Sequence, residues 1–124
     1  MNANAGKEND GFGKIIASLD DDRDLFAAIA VPVSRHYAAY ADELRSLLDS
    51  AEGREAIERV VHKVKATWSL YAIEHPDLPE RIQDAMDKED TGSATALVEL
   101  LVQSLRAVSS ELQTWVECHS RNKA

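Results

Sequence analysis

The feature that most constrains the fold is a single apolar stripe that runs along residues 53–74 at helical spacing. The apolar side chains of this segment recur three or four residues apart and so share one face of a helix: Ile57, Val60, Val61, Val64, Trp68 and Tyr71. No segment of useful length alternates with the period of two that a strand requires, so we predict no strands. The chain is expected to fold as helices that bury such stripes against one another.

Capping residues, glycines and prolines predict where the helices lie. A weakly ordered tail is expected over residues 1–17. A short helix then starts at residues 18–24, buries Leu25, Phe26 and Ile29, and ends near Pro32. Further helices are expected over about residues 32–51, 53–74, 79 onward and 94–118, with a turn at Thr91-Gly92-Ser93.

The short connections between these helices favour antiparallel neighbours. We therefore predict an all-α fold, an antiparallel up-down four-helix bundle over residues 18–119 with a short additional N-terminal helix. Residues 120–124 are expected to form a C-terminal tail. Nothing in the sequence indicates a linker that would divide the chain into two domains.

Length and charge limit the classes of partner. The 124 residues suffice for one domain, and the formal net charge of −8 argues against general nucleic-acid binding and against docking on an anionic membrane. No apolar run approaches the about 20 residues of a membrane span, and the first residues lack the apolar core of a secretory signal. Cys118 is the only cysteine, so no internal disulfide forms, which fits a reducing compartment. We expect a cytoplasmic monomer that binds neither nucleic acid nor membrane.

His62 lies about 150° from the centre of the apolar stripe, at about 100° per residue, and therefore on the exposed side of its helix. Lys65 is three residues on, and Ala66 and Ser69 continue the same ridge, so a bulky partner can approach the imidazole. Residues 54–65 hold four cations and two carboxylates in a chain of net charge −8. Such a basic rim suits a phosphoryl group or an acidic partner surface. The alternative is ordinary pairing on a solvated face, such as Glu58 with His62.

The segment His62-Lys63-Val64-Lys65-Ala66-Thr67-Trp68-Ser69-Leu70-Tyr71-Ala72 resembles the signature of histidine-containing phosphotransfer (HPt) domains. That signature reads His-x-[Leu/Ile]-Lys-Gly, then small or hydroxyl residues, then an apolar residue and Gly. Alanines stand here at both glycine positions, and Trp68 stands where a small residue is commoner. The Leu-Glu pair often found in the family's next helix is matched by Ile82-Gln83. The predicted layout over about residues 20–118 is similar to the family as well.

The resemblance implies that Nε2 of His62 accepts a phosphoryl group from a receiver-domain aspartate and passes it to another response-regulator receiver in a phosphorelay. Lys65 is then expected to offset the charge of the phosphoryl oxygens. Partner docking is expected at Glu58, Arg59, Lys63, Ala66 and Ser69. The implied partners are a receiver domain and a hybrid sensor histidine kinase. The family has no kinase activity of its own. It also has no cofactor of its own, because the magnesium ion belongs to the receiver.

Other chemistries have little support in the sequence. A di-iron carboxylate site requires Glu-x-x-His pairs, and no glutamate stands three residues before any of the four histidines. Cys118-His119 is too sparse a pair for zinc, and no Gly-x-Ser-x-Gly motif indicates a hydrolase. His36 and His75 are expected to be structural or solvated. The remaining alternative is a helical adaptor, such as a degenerate HPt domain, that binds a receiver or kinase partner without carrying phosphate.

Overall fold

The computed structural model describes residues 12–50, 53–71 and 75–123. Within these ranges the chain forms five helices and no strand, which confirms the all-α prediction: α1 over residues 12–18, α2 over Arg23–Leu48, α3 over Arg54–Tyr71, α4 over Leu78–Asp87 and α5 over Thr91–Lys123. None of the helices in the described ranges is long and apolar enough to pass through a bilayer.

One core lies where the helices meet, with α2 packed along α5, α3 against α2 and α4, and α4 against α5. Its fully buried side chains include Phe26, Tyr37, Val64, Trp68, Ile82 and Leu105. The small buried residues Ser34 and Ser109 join α2 to α5, since each hydroxyl donates to the other residue's backbone carbonyl, at 3.0 and 2.8 Å. The polar groups at this contact are therefore paired within the core rather than left unsatisfied.

The N-terminal segment differs from the predicted tail. Residues 1–11 lie outside the described residues, but the segment that follows forms α1 and buries Phe12 and Ile16 on one face. The centroid of the Phe12 ring lies 5.5 Å from that of Phe26 and 6.5 Å from that of Tyr71. Burial of two large apolar side chains four residues apart stabilises this short helix more than its glycine weakens it. α1 therefore joins the start of α2 to the end of α3.

α2 continues through Pro32, so the predicted helix end at this residue is wrong. Pro32 lacks the N–H that would bond to the carbonyl of Ala28, but both residues are exposed, so water has access to that carbonyl. Phe26 before the proline and Tyr37 after it are buried in the same core, and their packing keeps the two halves in one helix. The predicted burial of Leu25 is also wrong, because this side chain is 43% exposed.

Side-chain caps fix the starts of two helices. Asp22 accepts a hydrogen bond from the N–H of Leu25 at 3.0 Å, and Asp90 accepts one from the N–H of Ser93 at 3.1 Å. The hydrogen bonds from Ser93 hold the pKa of Asp90 below its usual range. α5 therefore starts within the segment predicted as a turn. It also continues through Lys123, past the predicted end near residue 118 and into the predicted C-terminal tail.

Gly53 separates α2 from α3, as predicted, and the reason is steric. A Cβ at this position would lie 2.7 Å from the carbonyl oxygen of Leu47, so a larger residue would displace backbone.

α4 begins close to the predicted position, with Pro79 in its first turn, and buries the predicted side chains Ile82, Ala85 and Met86. Residues 51–52 and 72–74, where the second and third helices were expected to end, lie outside the described residues.

Candidate functional site

α3 carries the candidate site on its outer face because the core occupies its inner face. All the side chains of the predicted stripe are buried, and none of them is more than 8% exposed. On the other side, His62, Lys63, Lys65, Ala66 and Ser69 are all exposed, as their angular positions along the helix require. An imidazole and its neighbouring ammonium groups thus face away from the core.

The cations of this face have no carboxylate partner within the part of the chain that the structure describes. Among the described residues, no hydrogen bond or ion pair engages the side chains of Arg59, His62, Lys63 or Lys65. At a spacing of three residues the Cβ atoms of His62 and Lys65 lie about 5–6 Å apart, so the ammonium group can reach an anion bound at the imidazole. The arrangement offers a nitrogen nucleophile with positive charge beside it.

Glu58, one turn before His62, is held against α4. Its Oε1 accepts a hydrogen bond from Nε of Arg54 at 3.3 Å, and its Oε2 accepts one from Nε2 of Gln83, also at 3.3 Å. Arg54 is fixed in turn, because its Nη2 donates to the carbonyl of Met86 in the last turn of α4 at 2.8 Å. Glu58 is one of the residues predicted to dock a partner, and the structure places its carboxylate in the contact between α3 and α4. The ordinary pair between Glu58 and His62 does not form among these described contacts.

A partly buried hydrogen bond ties the opposite flank of α3 to α2. The hydroxyl of Tyr37 lies 2.6 Å from Oγ1 of Thr67, and Tyr37 is only 2% exposed. Burial raises the pKa of Tyr37 to about 12, although the hydrogen bond with Thr67 acts in the opposite direction. The phenol is therefore protonated at neutral pH and fixes the position of the helix without adding charge.

Trp68 anchors the C-terminal half of α3. Its side chain fills the core, as predicted, and its Nε1 donates to the carbonyl of His75 at 2.7 Å. The bulk that departs from the family signature at this position therefore points away from the outer face. Ala72, which stands at the second glycine position of that signature, lies outside the described residues.

The outer face of α3 also includes apolar surface. Leu70 is 55% exposed, and Ala66, four residues before it, is exposed too. Both lie on the helical ridge that starts at His62, because the spacing of four residues is close to one turn. A partner that covers the imidazole would therefore contact cationic and apolar groups together.

The remaining histidines lie elsewhere. His36 is exposed on α2, and His75 precedes α4 in a partly buried position. His119 stacks on Trp115, with ring centroids 5.0 Å apart, and its Nε2 lies 2.7 Å from Oδ1 of Asp24. Within the described ranges no group of three or more His, Cys, Asp or Glu side chains is arranged to hold a metal ion.

Two contacts that shape the site were missed by the sequence analysis. The hydrogen bonds of Tyr37 with Thr67 and of Gln83 with Glu58 join residues that are 30 and 25 positions apart in the chain. A tyrosine on the core face of a helix indicates that its own hydroxyl needs a hydrogen-bond partner, but it does not indicate which residue that partner is. The pair of Arg54 with Glu58 has the spacing of four residues and was visible in the sequence.

Comparison of the chain with models of protein families, with curated proteins and with solved structures finds no match. Any assignment of function therefore depends on the outer face of α3 and on the resemblance of its sequence.

Proposed function

We propose that this chain is a histidine phosphotransfer protein with His62 as its phosphoacceptor. A receiver domain of a hybrid sensor histidine kinase donates the phosphoryl group, and the receiver of a response regulator takes it over. In this proposal the helices form an antiparallel up-down four-helix bundle with α1 as the additional N-terminal helix. The protein works as a cytoplasmic monomer without kinase activity, and the receiver supplies the magnesium ion.

One arrangement of side chains supports this proposal most directly. His62 and Lys65 are exposed three residues apart on the outer face of α3, and the described residues offer neither of them an ion-pair partner. An exposed, unpaired imidazole is available to a large partner, whereas a structural histidine normally has a hydrogen-bond partner or a packed ring. His119, with its stacked ring and its contact to Asp24, is an example of the structural kind.

The proposed chemistry is the transfer of one phosphoryl group between a carboxylate and an imidazole. The unprotonated Nε2 of His62 attacks the phosphorus atom of the receiver's aspartyl phosphate. A P–N bond forms as the P–O bond to the aspartate breaks, and the aspartate leaves as a carboxylate while the proton on Nδ1 stays on the ring. Transfer to the second receiver is the reverse, with a carboxylate oxygen as the nucleophile.

Positioning and electrostatics carry most of the catalysis in such transfers. Lys65 offsets the negative charge of the phosphoryl oxygens, and Lys63 and Arg59 attract the acidic surroundings of a receiver's phosphorylation site. Ala66 and Ser69 are small, so they leave room for the loops of the receiver next to the imidazole. Because the chain as a whole carries a net charge of −8, the rest of its surface repels an acidic receiver, and the cations around His62 steer the receiver to this face.

Label transfer from a phosphorylated receiver tests the proposal. The protein is incubated with a panel of purified receiver domains that carry ³²P, each charged by a hybrid kinase with ATP and magnesium. We expect acid-labile, alkali-stable label on the wild-type protein and none on His62→Gln. His36→Gln is the matched control, since His36 is an exposed histidine on a neighbouring helix, and we expect it to keep full labelling.

Label that persists in His62→Gln would assign the acceptor to another residue and contradict the proposal. A wild-type protein that binds a receiver but takes no label from any member of the panel would instead favour the helical adaptor. One observation gives this second function some support, because the exposed Leu70 beside Ala66 is apolar contact surface that a partner can use without any transfer of phosphate.

A further inference from the structure

Glu58 is the one carboxylate within one helical turn before His62, and its two oxygens accept hydrogen bonds from Arg54 and Gln83. We infer that Gln83 and Arg54 are positioning residues for the proposed transfer. They keep the carboxylate of Glu58 in the contact between α3 and α4, so that the phosphoacceptor face stays cationic. This inference rests on the proposed function and adds to it a device that controls the charge next to the phosphoryl group.

Gln83 and Arg54 together form a clamp on the carboxylate of Glu58, and its geometry explains why both residues are needed. Gln83 engages Oε2 of Glu58 and also donates to Oδ1 of Asp87 at 3.0 Å, which fixes the direction of its amide group. Arg54 engages Oε1 and donates to the carbonyl of Met86 at 2.8 Å. Each oxygen of the carboxylate therefore has its own donor, and each donor is anchored to α4 by a second contact.

Release of this carboxylate would bring it towards His62. The two residues are four positions apart, the spacing at which side chains on a helix meet. The side chain of Glu58 is 33% exposed, so it has an open side towards which it can turn once its donors are removed. A freed carboxylate can accept a hydrogen bond from the imidazole or pair with Lys65, and in both positions it lies close to the incoming phosphoryl group.

The expected penalty follows from Coulomb repulsion. A doubly charged phosphoryl group and a carboxylate about 6 Å apart in a medium close to water repel each other enough to slow a reaction about tenfold. The repulsion is small while both donors hold Glu58 at α4, since the guanidinium of Arg54 then cancels most of the carboxylate's field. Without Gln83 the one remaining contact is a 3.3 Å pair whose Arg54 side chain is 55% exposed, and such a pair is too weak to keep the carboxylate there. The amide of Gln83 adds no charge of its own, so the clamp removes a negative charge from the site without bringing in another one.

A double-mutant cycle tests the inference. Gln83→Met keeps the length of the side chain and removes the amide donor, and it is combined with Glu58→Gln, which removes the charge. We expect Gln83→Met to lower the initial rate of label transfer to His62 about fivefold to tenfold in the wild-type background. In the Glu58→Gln background we expect the same substitution to change the rate less than about twofold.

A residue that only supports the fold would slow the transfer equally in both backgrounds, and that result overturns the inference, as does an unchanged rate in Gln83→Met. Far-UV circular dichroism checks that each variant folds. If Gln83→Met unfolds, Arg54→Met frees the other oxygen of Glu58 and must give the same pattern.

The ring resonances of His62, followed by NMR at one fixed pH, provide a readout that does not depend on transfer. We expect them to shift in Gln83→Met and to return towards the wild-type positions when Glu58→Gln is added. If the resonances shift and return as expected but the wild-type protein takes no label, the clamp exists and the proposed function fails. If the wild-type protein takes label but Gln83→Met neither shifts the resonances nor slows the transfer, only the clamp fails.

Discussion

Tyr37→Phe should lower the stability of the protein at neutral pH and make it less sensitive to alkali. The substitution keeps the buried ring and removes the hydroxyl that lies 2.6 Å from Oγ1 of Thr67. A partly buried hydrogen bond of this kind contributes about 1 kcal/mol to the free energy of unfolding. Thr67 is half-buried and keeps access to water, so we expect no further penalty for an unpaired hydroxyl.

At alkaline pH the hydroxyl of Tyr37 lowers the stability of the wild type, whereas at neutral pH it raises that stability. Burial raises the pKa of Tyr37 to about 12 in the folded protein, against 10.0 for an ordinary tyrosine. Below pH 10 both states hold the proton, so the contribution of the neutral phenol is complete. Between about pH 10 and 12 the unfolded chain releases the proton while the folded protein keeps it, so stability falls as the pH rises. From pH 9 to 11 this amounts to about 1.3 kcal/mol for Tyr37.

Urea denaturation followed by circular dichroism at pH 7, 9 and 11 measures both effects. We expect Tyr37→Phe to be about 1 kcal/mol less stable than the wild type at pH 7 and close to it at pH 11. Burial also raises the pKa of Tyr71, so part of the alkaline loss remains in the variant. Tyr40→Phe is the matched control, because Tyr40 is a half-buried tyrosine of the same helix, without a hydroxyl contact among the described hydrogen bonds.

Equal losses of stability between pH 9 and 11 in the wild type and in Tyr37→Phe would refute this reasoning. They would mean that the phenol of Tyr37 ionises as easily in the folded protein as in the unfolded chain. A variant as stable as the wild type at pH 7 would show that the contact with Thr67 contributes nothing to the packing of α2 on α3.

Two further substitutions test the site and the fold. Lys65→Ala should slow label transfer to His62 roughly tenfold while helicity stays unchanged, because it removes one cation beside a doubly charged group. Lys14→Ala, an exposed lysine on α1, should leave the rate as it is, and a large loss of helicity in Lys65→Ala would show that this lysine packs against the bundle. Pro32→Ala should raise the free energy of unfolding by about 1–3 kcal/mol, since it restores the missing hydrogen bond to Ala28 inside one continuous helix. A variant that is less stable than the wild type in urea would mean that the proline separates two helices.

The inner faces of the helices could be predicted because periodicity depends on residues within one element. The stripe of α3 and the buried residues of α4 follow directly from the spacing of apolar side chains, and so does the exposure of His62 and Lys65 on the other side. The same local reasoning fails at Pro32. A proline ordinarily ends a helix, but here buried residues on both sides of it belong to one core, and that information is not local.

α1 and the contacts across α3 were missed for a related reason. Phe12 and Ile16 lie in a glycine-containing segment with weak helix propensity, and only their burial against α2 and α3 makes the segment helical. The pairing of Glu58 with Gln83 depends on how α4 is placed beside α3. Sequence spacing therefore places a side chain on a face of its own helix, but it does not identify the neighbour that this side chain meets.

These cross-helix contacts matter because they lie on both sides of the candidate phosphoacceptor. Glu58, four residues before His62, is held to α4, and Thr67, five residues after it, is held to α2. The backbone that carries His62 is thus fixed by its flanks while the imidazole itself is left without a partner among the described residues. A site that must present one nitrogen atom to two successive partners benefits from such a division, because the position of the ring is set before either partner arrives. It follows that the two flanks are separable by mutation. Loss of the Tyr37 hydroxyl should reduce stability with little effect on the charge beside His62, whereas loss of the Gln83 amide should change that charge with little effect on stability.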